Sequence, residues 1–508
     1  MIQVKKRDQE KLKKRELKLL KRLENEHELR SSPMMNASNA LYEVSERVEA
    51  TAWGGVAAMY QLAQCIGLVK GLDEKVHVLK MHKPYHESDH ILSLALNVLA
   101  GGTCLEDLEL RRQDASYMNS LGAERIPDPT TAGDFTRRFT NEAAALNLME
   151  AINGVRPGIW DTMPSKERRK AVIDTDGTLA PTTGERKEGM GLSYNGIWGY
   201  HPLVVSLANT REALYLHNRP GNAVSHDGAV AYMDRAIALV RKSFKKVWLR
   251  GDTDFSLTAH FDRWTEDKVN FVFGMDAMSN LVSLADELAE TRWKPLVRRS
   301  KRACKGNRRA RRANVKERIV KKKGYKNIRL NSEQVAEFTY RPGKCARDYR
   351  MVVVRKNLSI EKGEDVLFDE IRYFFYITNE ATMSAAEVVR FINGRCDHEN
   401  DIEQLKNGIN AMRMPSGDLN SNGAYMVMAA LAWNLKAWYG ILMPDRRTGA
   451  QVVRMEFARF LNGFMALPAQ VLKQSRQIKV RLLTWTPYVE AFLEMFTWLR
   501  RNRFAHPL

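Results

Sequence analysis

Four acidic side chains and two basic ones are spaced as phosphate-ester chemistry would need them. Asp174 and Asp176 end the apolar run "AVIDTDGT", and Asp252 ends a second, "VWLRGD". Glu399 lies in "GRCDHENDIEQLKNG" between Arg395 and Lys406. A carboxylate at the end of a buried strand can act as nucleophile, as general acid or as metal ligand. Carboxylates brought within a few ångströms of one another cannot all stay ionised unless positive charge lies between them. Divalent cations supply it, and hard oxygen ligands suit Mg2+. A pair of such ions can activate an oxygen nucleophile and stabilise the leaving oxygen of a phosphodiester.

Whether these acids meet depends on the elements that carry them. From residue 170 the chain reads as three β-branched runs, "KAVIDTD", "HPLVVSLAN" and "ALYLHN". A helical stretch (225–244), the run "KVWLRGDTD", a helix-like segment (256–267) and "NFVFGMD" follow. The first three runs lie too close together for helical crossovers, so they should form an antiparallel meander. The order β-β-β-α-β-α-β predicts an α/β ribonuclease-H-like core built on a mixed five-stranded sheet. In it the strands ending at Asp176 and Asp252 are neighbours. On a helix Arg395, Glu399 and Lys406 share one face, because offsets of four and seven are near whole turns. Glu399 would then be the third ligand, with Arg395 and Lys406 holding phosphates of the strand being cut.

Around this core the sequence predicts a basic helical arm and linker (1–39), a helical N-terminal domain (40–165), to which only the resemblance given below assigns DNA binding, and a first core segment (166–280). A basic β-rich insertion (281–385) is followed by a second core segment carrying the third acid (386–445) and a C-terminal helical region (446–508). The stretches "VAEFTY", "RMVVVRKN" and "IRYFFYIT" are the insertion's strands. The apolar stripes of "AYMVMAALAWNLKAWYG" read as core. In "HKPYHESDH", His82, His86 and His90 are four apart, but Pro84 makes a three-histidine helical face doubtful, and surface histidines at a helix start are the better reading.

Charge points to the partner. The 508 residues carry a net +20, with a pI near 9.6. Residues 292–329 hold 18 Lys or Arg against one acid, which is +17 in 38 residues. A run of one sign suits a polyanion better than a merely solvated face. Arg298, Arg299, Lys301, Arg302, Arg308, Arg309, Arg311 and Arg312 are its candidate DNA contacts, and the flanking Trp293 and Tyr325 could stack on a base. Five scattered cysteines without C-x-x-C spacing suit reduced thiols rather than a disulfide framework or zinc finger. No apolar run is long enough for a membrane span, and nothing at the N-terminus reads as a signal peptide. A cytoplasmic, nucleoid-associated protein is expected.

At this point the chain resembles the DDE transposases of bacterial insertion sequences, in the subgroup with a β-strand insertion between the second and third acids. It is most similar to insertion-sequence group thirteen-eighty. The resemblance runs from about residue 50 to 440, through "LAGGTCLEDLELRRQD", "DTDGT", "GYHPLVV", "NRPGN", "RGDTDF" and the Arg–Glu–Lys helix. It implies Asp176, Asp252 and Glu399 as catalytic, metal-binding acids and two Mg2+ ions, with Mn2+ as a substitute. It also implies duplex DNA bearing terminal inverted repeats and target DNA as substrates, and a homodimer in the DNA complex. The helix signature Y-x2-R-x3-E-x6-K is matched at Arg395, Glu399 and Lys406, but Ile392 stands in the tyrosine position. Asp254 replaces the glycine of the second motif, and whether Asp174 or Asp254 assists the metal is open.

Two rivals carry specific expectations. "DTDGT" alone resembles the first motif of the haloacid-dehalogenase-like phosphatases, where Asp174 would be the nucleophile, Asp176 the general acid and Ser206 the second motif. It leaves the basic run and the Arg–Glu–Lys helix without work. A non-catalytic DNA-binding protein derived from a transposase would bind without nicking.

Overall fold

The structure is a computed structural model that describes residues 4–24, 40–42, 44, 48–297, 315–362, 365–474 and 477–502. Arg298, Arg299, Lys301, Arg302, Arg308, Arg309, Arg311 and Arg312 therefore lie outside the described residues, as does the expected linker at 30–39.

One nine-stranded mixed sheet organises the protein. Its strands are β1 (Lys170–Gly177), β2 (Leu203–Leu207), β3 (Glu212–His217), β4 (Lys246–Gly251), β5 (Val269–Met275), β6 (Lys326–Tyr340), β7 (Tyr349–Lys362) and β8 (Asp365–Thr378), with the two-residue strand Lys294–Pro295 at one edge. The spatial order is 294–295, β6, β7, β8, β5, β4, β1, β2, β3. β1, β2 and β3 pair antiparallel as a meander, whereas β1, β4 and β5 run parallel. The sheet is wider than the expected five strands because Phe375–Thr378 of the insertion pair antiparallel with Val272–Met275 of β5. An edge that would present unpaired N–H and C=O groups is thereby continued by the insertion itself.

Alternation in β4 explains how both faces are buried. Val247 and Leu249 enter the main core, while Trp248 packs with Val272, Val354, Val388, Val389 and Ile392 on the opposite face. The helix Ala385–Ile392 supplies that second cover. Ser384 caps it and Glu387 reaches back to the Ser384 backbone, a reciprocal cap that fixes where the helix starts. The even-numbered residues of β1 and β4, hence Asp174, Asp176, Arg250 and Asp252, face the segment that follows this helix.

The 24-residue helix Leu419–Leu442 is buried along nearly its whole length, so its apolar stripes are core as expected. Glu212 on β3 is fully buried and accepts hydrogen bonds from Arg156, Trp160 Nε1 (2.7 Å), Trp438 Nε1 (2.6 Å) and Thr210. That carboxylate joins the N-terminal helices, the sheet edge and the long helix.

One expectation about the ends changes. The N-terminal helix α1 spans Lys6–Glu24, with Leu12 against the core and Leu19 and Leu23 exposed. The C-terminal region is not wholly helical: β9 (Ala469–Gln474) and β10 (Gln477–Leu482) form a hairpin, and residues 50–51 pair with β9. The alternation of Ile478, Val480 and Leu482 with Lys479 and Arg481 is a strand signal.

Candidate active site

The ends of β1 and β4 carry Asp176 and Asp252 to one place, and the segment 393–408 lays Arg395 and Glu399 across them. The guanidinium of Arg395 contacts all three acids: Nη2 is 3.0 Å from Asp176 Oδ2, 3.1 Å from Asp252 Oδ2 and 3.8 Å from Glu399 Oε1. Residues separated by 76, 223 and 147 positions thus converge on one cationic group, as the spacing of the motifs predicts. The segment is not one α-helix. A 3-10 turn (Asn393–Arg395) leads into Cys396–Glu403, and a π-helical turn (Gln404–Gly408) follows. Lys406 lies within the π-turn. Its Nζ donates to the Leu179 carbonyl at 2.7 Å, so Lys406 pins the loop after β1 in this arrangement. Arg395, expected to face phosphates, here neutralises the acids.

Beneath this layer lies a buried scaffold that reading the motifs one at a time misses. Arg250, two residues before Asp252, donates from Nε and Nη2 to both oxygens of Asp174 (2.5 and 2.6 Å), two residues before Asp176. Its Nη1 donates to the Phe391 carbonyl at 2.7 Å, just ahead of the third motif. One side chain therefore ties together all three acid-bearing elements. Gly394 permits the approach: a Cβ there would lie 2.3 Å from Arg250 Nη1. His398, beside Glu399, shares a 2.8 Å hydrogen bond with Ser206 Oγ on β2, and burial pushes its imidazole down to about 4, holding it neutral. Arg211 anchors the same segment through Asp401 (2.9 Å) and the Asp397 carbonyl (2.9 Å).

These contacts settle the roles that the phosphatase reading required. Asp174 is 1% exposed and held bidentate by Arg250, which leaves it no access as a nucleophile. Ser206 is buried and bonded to His398. The antiparallel pairing of β1 with β2 also departs from the alternating βα order of a phosphatase. Asp254 is exposed, and its N–H donates to Asp252 Oδ1 at 3.1 Å.

Electrostatics at the site favour a bound cation. Burial pushes Asp176 up to about 7, against the lowering effect of Arg395, with Asp252 adding repulsion. Asp252 is raised chiefly by burial too. Carboxylates that are desolvated and close together need more positive charge than one shared guanidinium gives. Among the described residues no group of three His, Cys, Asp or Glu side chains is arranged to hold a metal ion as it stands. The donor set nevertheless fits hard divalent ions: three carboxylates, all oxygen, facing one cationic centre.

A pH dependence follows. With Asp176 raised from 3.8 to about 7, the folded state holds a proton that the unfolded state has lost, so stability falls as pH rises from about 4 to 7. In chelator-treated protein the unfolding free energy of the wild type should fall more steeply over this window than that of Asp176→Asn, by up to about 1.4 kcal/mol per pH unit. Parallel curves from urea titrations would refute the assignment.

Other sequence expectations resolve differently. Trp293 is buried, with Arg355 over its ring at 4.3 Å, so it is not open to a base; Tyr325 is exposed. His82, His86 and His90 do not line up. His86 precedes the helix Glu87–Leu99, His82 pairs with Glu87 at 3.0 Å, and His90 is buried against Phe135. In "NRPGN", Arg219 is buried and donates to the carbonyls of His201, Val224, Ser225 and Asp227, ordering a loop. No helix among the described residues is long and apolar enough to cross a membrane.

Comparison with known proteins bears on the whole chain. No curated protein is significantly similar to it in sequence. Among solved structures, a piggyBac transposase synaptic complex with hairpin DNA aligns over 82% of this chain and 84% of that one, at 9% identity and a TM-score of 0.34. The family description "Transposase DDE domain group 1" matches residues 48–504. The chain belongs to that family and is a DNA transposase.

Proposed function

We propose that the protein cleaves and joins DNA at insertion-sequence ends, with Asp176, Asp252 and Glu399 as catalytic ligands of two Mg2+ ions, Mn2+ substituting. The observation that carries this reading is the convergence of the three acids on one guanidinium. Bound divalent ions supply Lewis acidity at the scissile phosphate and lower the pKa of the attacking hydroxyl. The protein's own residues do the rest. Asp176, Asp252 and Glu399 fix the position of the positive charge. Arg395 and Lys406, once turned from their present partners, hold non-bridging phosphate oxygens.

Chemically, water adds to phosphorus and the bridging bond to the 3′-oxygen breaks, leaving a 3′-hydroxyl and a 5′-phosphate. That hydroxyl then attacks a second phosphodiester. One P–O bond forms as another breaks, so joining needs no external energy source.

The strand order β3-β2-β1-β4-β5, three antiparallel and then parallel, supports a ribonuclease-H-like core interrupted by the 281–385 insertion. The family match and the acid spacing support an insertion-sequence transposase of group thirteen-eighty. Residues 40–165 and the basic run, with Arg298, Arg299, Lys301, Arg302, Arg308, Arg309, Arg311 and Arg312, would grip the terminal inverted repeats. Two copies would act together, one per end, at the nucleoid. Cleavage of end-containing duplex in Mg2+, abolished by chelation and restored by Mn2+, is the test. Binding with no nicking under any divalent ion would instead favour a non-catalytic relative.

Arg395→Ala should separate charge from chemistry. Removing the guanidinium that the acids now share should raise Mn2+ affinity by about tenfold, since each 1.4 kcal/mol of relieved competition is one decade. Cleavage should fall even at saturating metal, for want of the phosphate clamp. Unchanged Mn2+ affinity by calorimetry would show that Arg395 does not compete for the acids.

A further inference from the structure

A second basic surface lies away from the acids, between α1 and the C-terminal hairpin. Residues Lys5, Arg7, Lys11 and Arg15 line one wall of a groove of about 570 Å3, and Lys479 and Arg481 of β10 line the other. Among the described residues the only acid lining it is Asp8. Its floor is apolar, formed by Leu12, Val480, Leu482 and Leu493.

The arrangement follows from two periodicities. Arg7, Lys11, Arg15, Lys18 and Arg22 recur at offsets of four, eight, eleven and fifteen, so they form one stripe along α1. At 1.5 Å per residue that stripe is about 22 Å long. On β10, Lys479 and Arg481 are two apart and both exposed, so they project from the same side of the strand. The helix is seated by Arg15, whose Nη1 donates to the carbonyls of Leu482 (3.0 Å) and Thr484 (3.1 Å), and by a 3.2 Å hydrogen bond from Gln9 to Glu490.

Like charges four apart on a helix repel, and a second basic wall adds to the repulsion. Among the described residues, Lys11, Lys479 and Arg481 have no carboxylate partner to offset it. Such a site is complete when an external polyanion enters. One strand of a duplex, with a phosphate per about 3.4 Å of axis, sets about six or seven phosphates along the five cations of the 22 Å stripe.

We propose that the groove between α1 and β10 is a second DNA-backbone site that holds duplex beyond the segment gripped by the basic insertion. It rests on the reading that the protein grips element ends. The test uses full-length K479E/R481E and, on the opposite wall, R7E/K11E, with K242E/K245E as a charge-matched control outside the groove. Anisotropy of a terminal-repeat duplex is followed against salt. Each groove pair should lower affinity at least tenfold relative to the control and flatten the log–log salt slope by about 1 to 2.

Groove variants with the control's affinity and slope would overturn the proposal. So would loss of binding to phosphatidylserine vesicles while the DNA slope stays unchanged. Mg2+-dependent cleavage by the wild type is measured alongside. A wild type that cuts while groove variants bind normally sinks the groove alone, whereas a wild type that neither binds nor cuts end DNA sinks the end-gripping reading beneath it.

Discussion

Replacing Glu399 with Gln is expected to reduce Mg2+-dependent strand cleavage of end-containing DNA by at least about a thousandfold, equivalent to about 4 kcal/mol of barrier. The substitution keeps size and hydrogen-bonding capacity but removes one of the three charges that meet at Arg395. Glu399 is more than half exposed, so folding and DNA binding should be spared. Cleavage by the variant at near wild-type rate in Mg2+ would remove it from the catalytic set. A variant that neither binds nor cuts would be uninformative alone, so the anisotropy of the same duplex belongs in the same experiment.

Arg250→Met should be the most destabilising single change near the site, lowering the unfolding free energy by about 3 to 5 kcal/mol, because it strands a buried carboxylate. Both partners are nearly inaccessible, and Asp174 loses two charge-assisted hydrogen bonds at once. The double variant Asp174→Leu with Arg250→Met should cost less than the single one, since an apolar pair leaves no unpaired charge. It should nevertheless cleave poorly, because the tie from β4 to the Phe391 carbonyl is gone. Stability recovered without activity is the signature expected of a positioning pair. Denaturant midpoints and cleavage rates on both variants decide it, and equal destabilisation by the single and double changes would contradict the buried-charge argument.

How much of this was legible beforehand varies with the range of the interaction. Strand-end acids and the Arg–Glu spacing are local patterns, and they led to the right convergence. The sequence leaves the role of Asp174 open because alternation places Asp174 and Asp176 on one face and does not say which is buried. The missing information was register. Setting Asp176 beside Asp252 in parallel strands also sets Asp174 beside Arg250, as the observed pairing does. A matched offset of two on both strands was therefore a readable signal.

The joining of the insertion to the sheet was not readable in the same way. It depends on four residue pairs about a hundred positions apart, between strands whose apolar character fits many partners. The π-turn that carries Lys406 was not readable either, because spacing rules assume unbroken α-geometry. Trp293 flanks a basic run in sequence, but its burial under Arg355 is a tertiary matter.

The central claim is that three acids hold divalent ions at the scissile phosphate, and the most direct measurement is anomalous scattering from Mn2+ in the complex with end DNA. The account predicts density for two ions, with Asp176, Asp252 and Glu399 as their protein ligands and Arg395 turned from the acids to phosphate. Manganese bound elsewhere, with Arg395 still bridging the three carboxylates in a complex competent to cut, would contradict it.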